Sequence, residues 1–483
     1  MRSLWRDLRR PEIAFVWIGM IWGSLFLFVT PPFQVPDENR HFYRAYQLSE
    51  GALLGTKQND VAGGDVPKSV IYTAEDSSYL RFHWERKYRF RDTIPLLYIP
   101  LRPQDRKFMP FVSVIYSPVP YVPQALAILP ARLLELPPIL MMYFGRIFNF
   151  TAWLALTYLA IRITPIYKWL FALLSLMPMS VFQAASLSVD AVTNGLAFLT
   201  IAFFLRCAFD EGKTVRFRDM VFWALLTLCL SLCKVVYFLL VFLYLLIPRE
   251  KIGTVRRYLL VLLALATANL LVAGLWNYCI RDFSTSMRPA EEVQEQIELI
   301  TTHPDQYVSI LLETIRYRTG YLCDTFVGRL GWLDTPLPTY LIVCWWLMLA
   351  AAAILESRPT ITVNRKYKGT SENQFSKTNN SDLNPLNSSP PSRSGLGEGR
   401  DFEASIIRGW HKCLLGGIVV MTLLMLFTLM YIYENNATDT IILGVQGRYL
   451  IPISPLLFML LYSKRLGRSL RGYEPVPIIA VSF

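Results

Sequence analysis

Charge is scarce in this chain. Asp, Glu, Lys and Arg together make up 17% of 483 residues, against 53% hydrophobic and 14% aromatic residues. With a mean hydropathy of +0.34, that shortage excludes a soluble multidomain protein and leaves several apolar runs of membrane length. Other absences exclude chemistry. No internal repeat is present, no glycine loop that would cradle a phosphate, no Walker motif and no GxSxG elbow. The seven cysteines have no metal-type spacing; Cys207, Cys229, Cys233, Cys344 and Cys413 fall in or at the ends of apolar runs, where small apolar thiols are ordinary. Cys279 and Cys323 flank one loop and are a candidate pair.

The net charge of +12 would suit nucleic acid, but the Lys and Arg residues sit mainly in short segments between apolar runs, as in cytoplasmic loops, and no nucleic acid partner is expected. Arg2, Arg6, Arg9 and Arg10 precede the first apolar run as in a signal peptide; the run is long and no small-residue cleavage site follows, so it reads as a retained span. Spans are expected near 14–30, 139–160, 165–184, 190–207, 219–233, 235–248, 257–279, 338–356, 409–433 and 448–464, about ten in all. In hydrocarbon each must be helical, because the backbone has no other way to satisfy its hydrogen bonds outside a closed barrel. The expected fold is thus all-α integral membrane, a multi-pass helical bundle.

The basic segments (Arg2 to Arg10, Arg162 with Lys168, Arg206 to Arg218, Arg249 to Arg257, 357–408 and Lys464 to Arg471) fall on one side of that arrangement. By the positive-inside rule both termini are cytoplasmic, and the loops 31–138 and 281–337 face out. Residues 1–356 then form a membrane core with its outer loops. Residues 357–408 form a cytoplasmic loop whose part 368–400, rich in Ser, Asn, Pro and Gly, reads as a disordered linker. Residues 409–483 carry the last two spans and a basic cytoplasmic tail. In the large first outer loop, Phe42, Tyr46 and Leu53 are expected on the membrane surface, 56–106 forms an irregular or stranded subdomain containing His83, Trp84, Arg86 and Tyr88, and Gln124 to Leu134 lies at the interface or re-enters. The second outer loop carries the acidic patch Glu291, Glu292, Glu295 and Glu298.

The stretch from Pro36 to Phe42 follows the first span. Pro31, Pro32 and Pro36 end that span, and Asp37 reads as the N-cap of a new helix. On such a helix His41 meets Asp37 or Glu38 on one face, a pattern that serves as a general base, as part of a metal site, or simply as a capped interfacial helix. Three further costly residues, Asp190, Lys234 and Arg448, fall on the same side as Asp37. Ionisable groups at membrane depth or at its mouth are functional candidates, because an unpaired one is expensive. Two carboxylates with two cations suit transfer from a lipid phosphate donor, which needs a base for an acceptor hydroxyl and cations for the departing phosphate.

Together Pro36 to Phe42, Gln183 to Asp190, Gly331-Trp332-Leu333-Asp334 and Gln446 to Pro452 resemble the marks of a bacterial family of multi-pass membrane proteins of unknown function, grouped with the GT-C glycosyltransferases, over about residues 12 to 465. That resemblance implies a GT-C-like enzyme in the bacterial inner membrane that moves a sugar from a polyprenyl-phosphate donor to a glycan, lipid or protein acceptor on the extracytoplasmic face. It makes Asp37 or Glu38 the base, with His41, Asp190, Lys234 and Arg448 binding substrate. Some GT-C enzymes use a divalent metal; this sequence has no second acidic pair apart from Asp190, so no cofactor and no metal are expected. The competing reading is a non-enzymatic transporter or flippase of a lipid-linked glycan, whose charges would line a path; transporters of that kind usually show paired halves.

Overall fold

The computed structural model describes residues 9–210, 212–284, 289–356 and 407–463. The expected linker at 368–400 and the basic tail from Lys464 lie outside the described residues.

Helix α1 (Pro11–Val29) begins with a proline, whose missing amide costs nothing in a first turn, and ends where Thr30 becomes extended ahead of Pro31 and Pro32. Helix α2 (Glu38–Ser49) follows. Strands β1 (Thr56–Gln58), β2 (Val61–Pro67) and β3 (Arg106–Pro110) form an antiparallel sheet in that order, with α3 (Lys68–Glu75) and a 3-10 segment, Phe90–Tyr98, inserted between β2 and β3. Helix α4 (Val122–Leu133) packs on α2 and leads into α5 (Pro138–Ile163). The remainder of the bundle is α6 (Lys168–Leu176), α7 (Pro178–Ala184), α8 (Asp190–Phe209), α9 (Phe217–Cys233), a 3-10 helix (Val235–Leu246), α10 (Val255–Ser284), α11 (Ala290–Thr302) and α12 (Pro304–Val327). A short β4–β5 hairpin (Arg329–Leu330 with Thr335–Pro336), α13 (Thr339–Leu355), α14 (Gly409–Glu434), a 3-10 turn (Gly447–Ile453) and α15 (Ser454–Met459) complete it.

Among the described residues five helices, α1, α5, α8, α10 and α14, are long and apolar enough to cross a membrane. The other expected spans are shorter or broken. Pro178 divides 165–184 into α6 and α7, since proline lacks the amide a continuing helix needs, and Pro452 and Pro455 leave the last segment as a 3-10 turn followed by six helical residues. Helix α8 is the most enclosed of the five and α10 the most exposed: 89% of the most apolar 18-residue stretch of the one is buried and 17% of that of the other. Leu259, Leu263, Leu271 and Leu275 of α10 are exposed, as suits contact with hydrocarbon.

Two expectations are corrected by this packing. Phe42 and Tyr46 do not lie on a membrane surface; both are fully buried in a second core made by α2, α4 and the sheet, and only Leu53 is exposed. Cys279 and Cys323 are free thiols, not a disulfide.

The helix ends sort into two groups. At one end, Lys251 Nζ binds the carbonyls of Cys207 (3.0 Å) and Asp210 (2.7 Å), closing the C-terminus of α8, and Lys412 Nζ binds the carbonyls of Leu460 and Tyr462. At the other end, the C-terminus of α1, the starts of α2 and α5, and the loop into α8 are tied together by one buried ion pair. Arg146, two turns into α5, gives Nε and Nη2 to the Glu38 carboxylate at 2.8 and 2.6 Å. Its remaining donors reach the carbonyls of Leu27, Thr30 and Pro31, the orphan acceptors left where α1 stops. All five guanidinium N–H groups are thereby used, and Glu38 Oε1 also accepts the Leu187 amide at 3.0 Å. Both side chains have 0% exposure. One turn along the same face of α5, Asn149 donates to the carbonyls of Ser186 and Ser188.

A fully satisfied buried pair is tolerated, but breaking one strands a charge at a cost of about 3–5 kcal/mol. Glu38→Gln keeps volume and shape while leaving the Arg146 guanidinium uncompensated. Thermal unfolding in detergent micelles should therefore show a large drop in midpoint for Glu38→Gln and none for Asp37→Asn next door. Equal midpoints for Glu38→Gln and wild type would mean that the pair does not hold this end of the bundle together.

Candidate functional site

A cavity of about 730 Å³ opens at the end of the bundle that Arg146 organises. It brings together Asp37, His41, Asp190, Lys234 and Arg448, with Arg40, Tyr116, Glu434, Gln446 and Tyr449 also on its wall. Glu38 is the one expected site residue that the structure keeps out: its carboxylate faces Arg146 inside the protein.

Asp37 stands at the N-cap position of α2 but makes no capping hydrogen bond with its side chain. Its backbone is left-handed (φ 63°, ψ 10°), a conformation that Asp tolerates better than most residues and that turns the chain sharply out of the proline-rich connection. The carboxylate, 41% exposed, instead meets Arg40 Nη1 at 3.2 Å. The expected contact of His41 with Asp37 or Glu38 does not form either. His41 Nδ1 is 2.8 Å from the Tyr121 hydroxyl, which α4 brings up against α2.

Asp190, the first residue of α8, is buried at the back of the cavity. One carboxylate oxygen accepts from Lys234 Nζ at 2.6 Å, and the other lies 3.7 Å from Arg448 Nη1. Lys234 is the extended residue that separates α9 from the following 3-10 helix. Its ammonium lies 4.4 Å from the centre of the Tyr449 ring, and the Arg448 guanidinium lies 5.2 Å from it, so one aromatic ring supports both cations. Arg448 is itself aimed by Gln446, whose Oε1 accepts from Nε at 2.5 Å. Gly447 between them is a close-approach position: its amide binds Thr325 Oγ1 at 2.7 Å, and a Cβ there would run into the Leu322 carbonyl of α12. Two cations thus share one buried carboxylate; Arg448 Nη2 reaches the Tyr449 hydroxyl at 3.5 Å, and among the described residues no carboxylate lies within hydrogen-bond distance of its Nη groups. Such a cluster attracts an anion of phosphate type. Among the described residues no group of three His, Cys, Asp or Glu side chains could hold a metal ion.

The sequence reading passed over Arg146, Tyr121 and Glu434. Arg146 carried a usable signal, as a lone cation inside the apolar run 139–160. Tyr121 and Glu434 carried none, because only the tertiary fold brings Glu434 to the cavity wall and Tyr121 against His41.

Helices of membrane-crossing length around a polar, charge-lined cavity at one end define an α-helical integral membrane protein. The family model described as predicted membrane protein (DUF2142), a family of unknown function, matches residues 20–374, and the chain belongs to that family. No curated protein and no solved structure matches it.

Burial pushes the His41 imidazole down to about 4 from 6.5; Asp37 and Asp190 act to raise it and Arg448 and Lys234 to lower it further. The ring is therefore neutral at pH 7. Between those two values the unfolded chain binds a proton that the folded one refuses, so stability is full above pH 6.5 and falls as the pH drops toward 4, by about 1.4 kcal/mol per unit. His41→Gln has no such proton to refuse. Between pH 7.5 and 4.5 wild type should lose about 2 to 3 kcal/mol more than His41→Gln in unfolding measurements; parallel losses would show that the ring is not held neutral by burial.

Proposed function

We propose that this protein is a membrane glycosyltransferase that moves a sugar from a polyprenyl-phosphate donor to an acceptor hydroxyl on the extracytoplasmic face. The observation that carries the reading is the cavity in which Lys234 and Arg448 share the Asp190 carboxylate while a second carboxylate, Asp37, is free of capping duty. In the proposed step Asp37 takes the proton of the acceptor hydroxyl as that oxygen bonds to the anomeric carbon of the sugar. The carbon–oxygen bond to the phosphate breaks, and the polyprenyl phosphate leaves with the bonding electrons. Arg448, whose terminal nitrogens present a fork suited to two phosphate oxygens, and Lys234 stabilise the charge that builds there. Asp190 positions the two cations. His41, neutral and held by Tyr121, offers a hydrogen bond to substrate. The resemblance to a membrane-protein family of unknown function, read in the sequence as grouped with the GT-C glycosyltransferases, implies the same assignment, with the cavity end of the bundle facing out of a bacterial inner membrane and a glycan, lipid or protein as acceptor.

Asp37→Asn preserves volume and, since the side chain caps nothing, leaves the start of α2 as it is. In proteoliposomes supplied with a polyprenyl-phosphate sugar, the variant should retain folded protein while transfer falls about a hundredfold or more, and Arg448→Lys should also lose transfer because it lacks the fork. Full activity in Asp37→Asn would remove the base from this reading. Movement of a labelled glycan lipid between leaflets, with no transfer by wild type, would assign the cavity to a transporter instead. Labelling of cysteines introduced at Asp60 and Asp305 from the cytoplasmic side would reverse the orientation.

A further inference from the structure

Residues 81–92 carry Arg81, Arg86, Lys87, Arg89 and Arg91 against only Glu85 and Asp92. Their burial is unusual for a segment so rich in large rings: Phe82, Trp84 and Phe90 are 64, 73 and 72% exposed, and Tyr98, at the end of the adjoining 3-10 segment, is 81% exposed. This segment is built to stay where it is. Thr93 and Leu96 are buried beneath it, the Tyr88 hydroxyl meets Thr93 Oγ1 at 3.0 Å, and Asp92 accepts the Arg89 amide at 2.8 Å. At its leading edge the Arg81 guanidinium lies 4.2 Å from the centre of the Trp332 ring, in the β4–β5 hairpin.

Its position gives the surface a meaning. The 3-10 segment Phe90–Tyr98 packs against α5, near the beginning of which Tyr143 stacks on Phe28 at the end of α1, with centroids 6.1 Å apart. Phe28 and Val29 on α1 and Phe144 and Phe148 on α5 are exposed, as lipid-facing residues are. The aromatic segment therefore lies at the level where two membrane-crossing helices reach the interface. Large rings at that level prefer the headgroup region, and Lys and Arg beside them are drawn to anionic lipid.

We infer that residues 82–98 form an anchoring surface for anionic phospholipid headgroups, laying the β1–β3 subdomain on the bilayer beside α1 and α5. Trp84, Phe90 and Tyr98 enter the headgroup layer, and Lys87, Arg89 and Arg91 hold lipid phosphates. This surface is separate from the cavity and does not depend on the reaction performed there.

Hydrogen–deuterium exchange of the full chain in nanodiscs tests it, comparing purely zwitterionic lipid with discs containing about a third anionic phospholipid. Amides of 82–92 should exchange about threefold or more slowly in the anionic discs, while those of β1 and β2 remain unchanged. The substitutions Lys87→Gln, Arg89→Gln and Arg91→Gln together should abolish the difference; because all three positions are exposed, an unaltered exchange pattern in β1–β3 verifies that the variant is folded. Equal exchange of 82–92 in the two lipids, or protection that survives the triple substitution, overturns the inference. So does protection that appears only on adding soluble polyphosphate to zwitterionic discs, which would give this face to a soluble polyanion.

Discussion

One buried ion pair fixes the geometry of the cavity end. Arg146 is in contact at once with the spent C-terminus of α1, the first residue of α2 and, through Glu38, the Leu187 amide ahead of α8. Helix C-termini leave carbonyls without partners, and in a membrane bundle water is not at hand to supply them. A guanidinium, with donors spread across a plane, can serve three such carbonyls and still grip a carboxylate; a lysine could not. The sequence cost of a cation inside an apolar run is thereby turned into the joint on which Asp37 and Asp190 hang, one residue before Glu38 and three after Leu187. Neither would hold its place if the joint opened.

Around that joint the polar groups divide into those already satisfied and those left available. Glu38 and Arg146 have their partners and are sealed from solvent. Asp190 is nearly as buried, yet it must serve two cations, and only Lys234 reaches it at hydrogen-bond distance. Arg448 approaches over the Tyr449 ring, oriented by Gln446 and by the close contact of Gly447 with α12, but among the described residues no carboxylate lies within hydrogen-bond distance of its terminal nitrogens. In a low-dielectric recess an incompletely matched cation is a strong source of attraction for an anion. The asymmetry between the two ion clusters, one closed and one open, is what distinguishes structure from site at this end of the molecule.

Much of this was legible in the sequence. Apolar run length and the placement of basic residues gave the helical membrane class, and the rarity of charge made Asp37, Asp190, Lys234 and Arg448 stand out; the fold does bring these four to one cavity. Pairing was not legible. Asp37 and Glu38 are neighbours with the same chemistry, and helical spacing offers either of them to His41; only the rotation of α2 against α5 and α4 sends Glu38 inward to Arg146 and His41 to Tyr121. Hydropathy also counts apolar residues without weighing whether they can continue a helix. It treats 165–184 and 448–464 as spans, where Pro178, Pro452 and Pro455 break the chain into short buried pieces. Phe42 and Tyr46 were misplaced for a related reason: an amphipathic helix after a span has the same pattern whether its apolar face meets lipid or, as here, a small outer core.

The backbone at Asp37 links these points. A non-glycine residue in the left-handed region costs of order 1–3 kcal/mol and persists only where the surroundings impose it. Here they do so from both sides: the prolines on the α1 side restrict the approach, and the Glu38–Arg146 pair fixes the residue immediately after. The same turn that satisfies the ion pair swings the Asp37 side chain away from the amides of α2 and toward the cavity. An aspartate in an ordinary cap would have its oxygens engaged by those amides. Held as it is, with Arg40 beside it at the surface end, the carboxylate can accept a proton or a hydrogen bond from whatever occupies the cavity, so the strain at residue 37 and the buried pair at residue 38 are two consequences of one folding constraint.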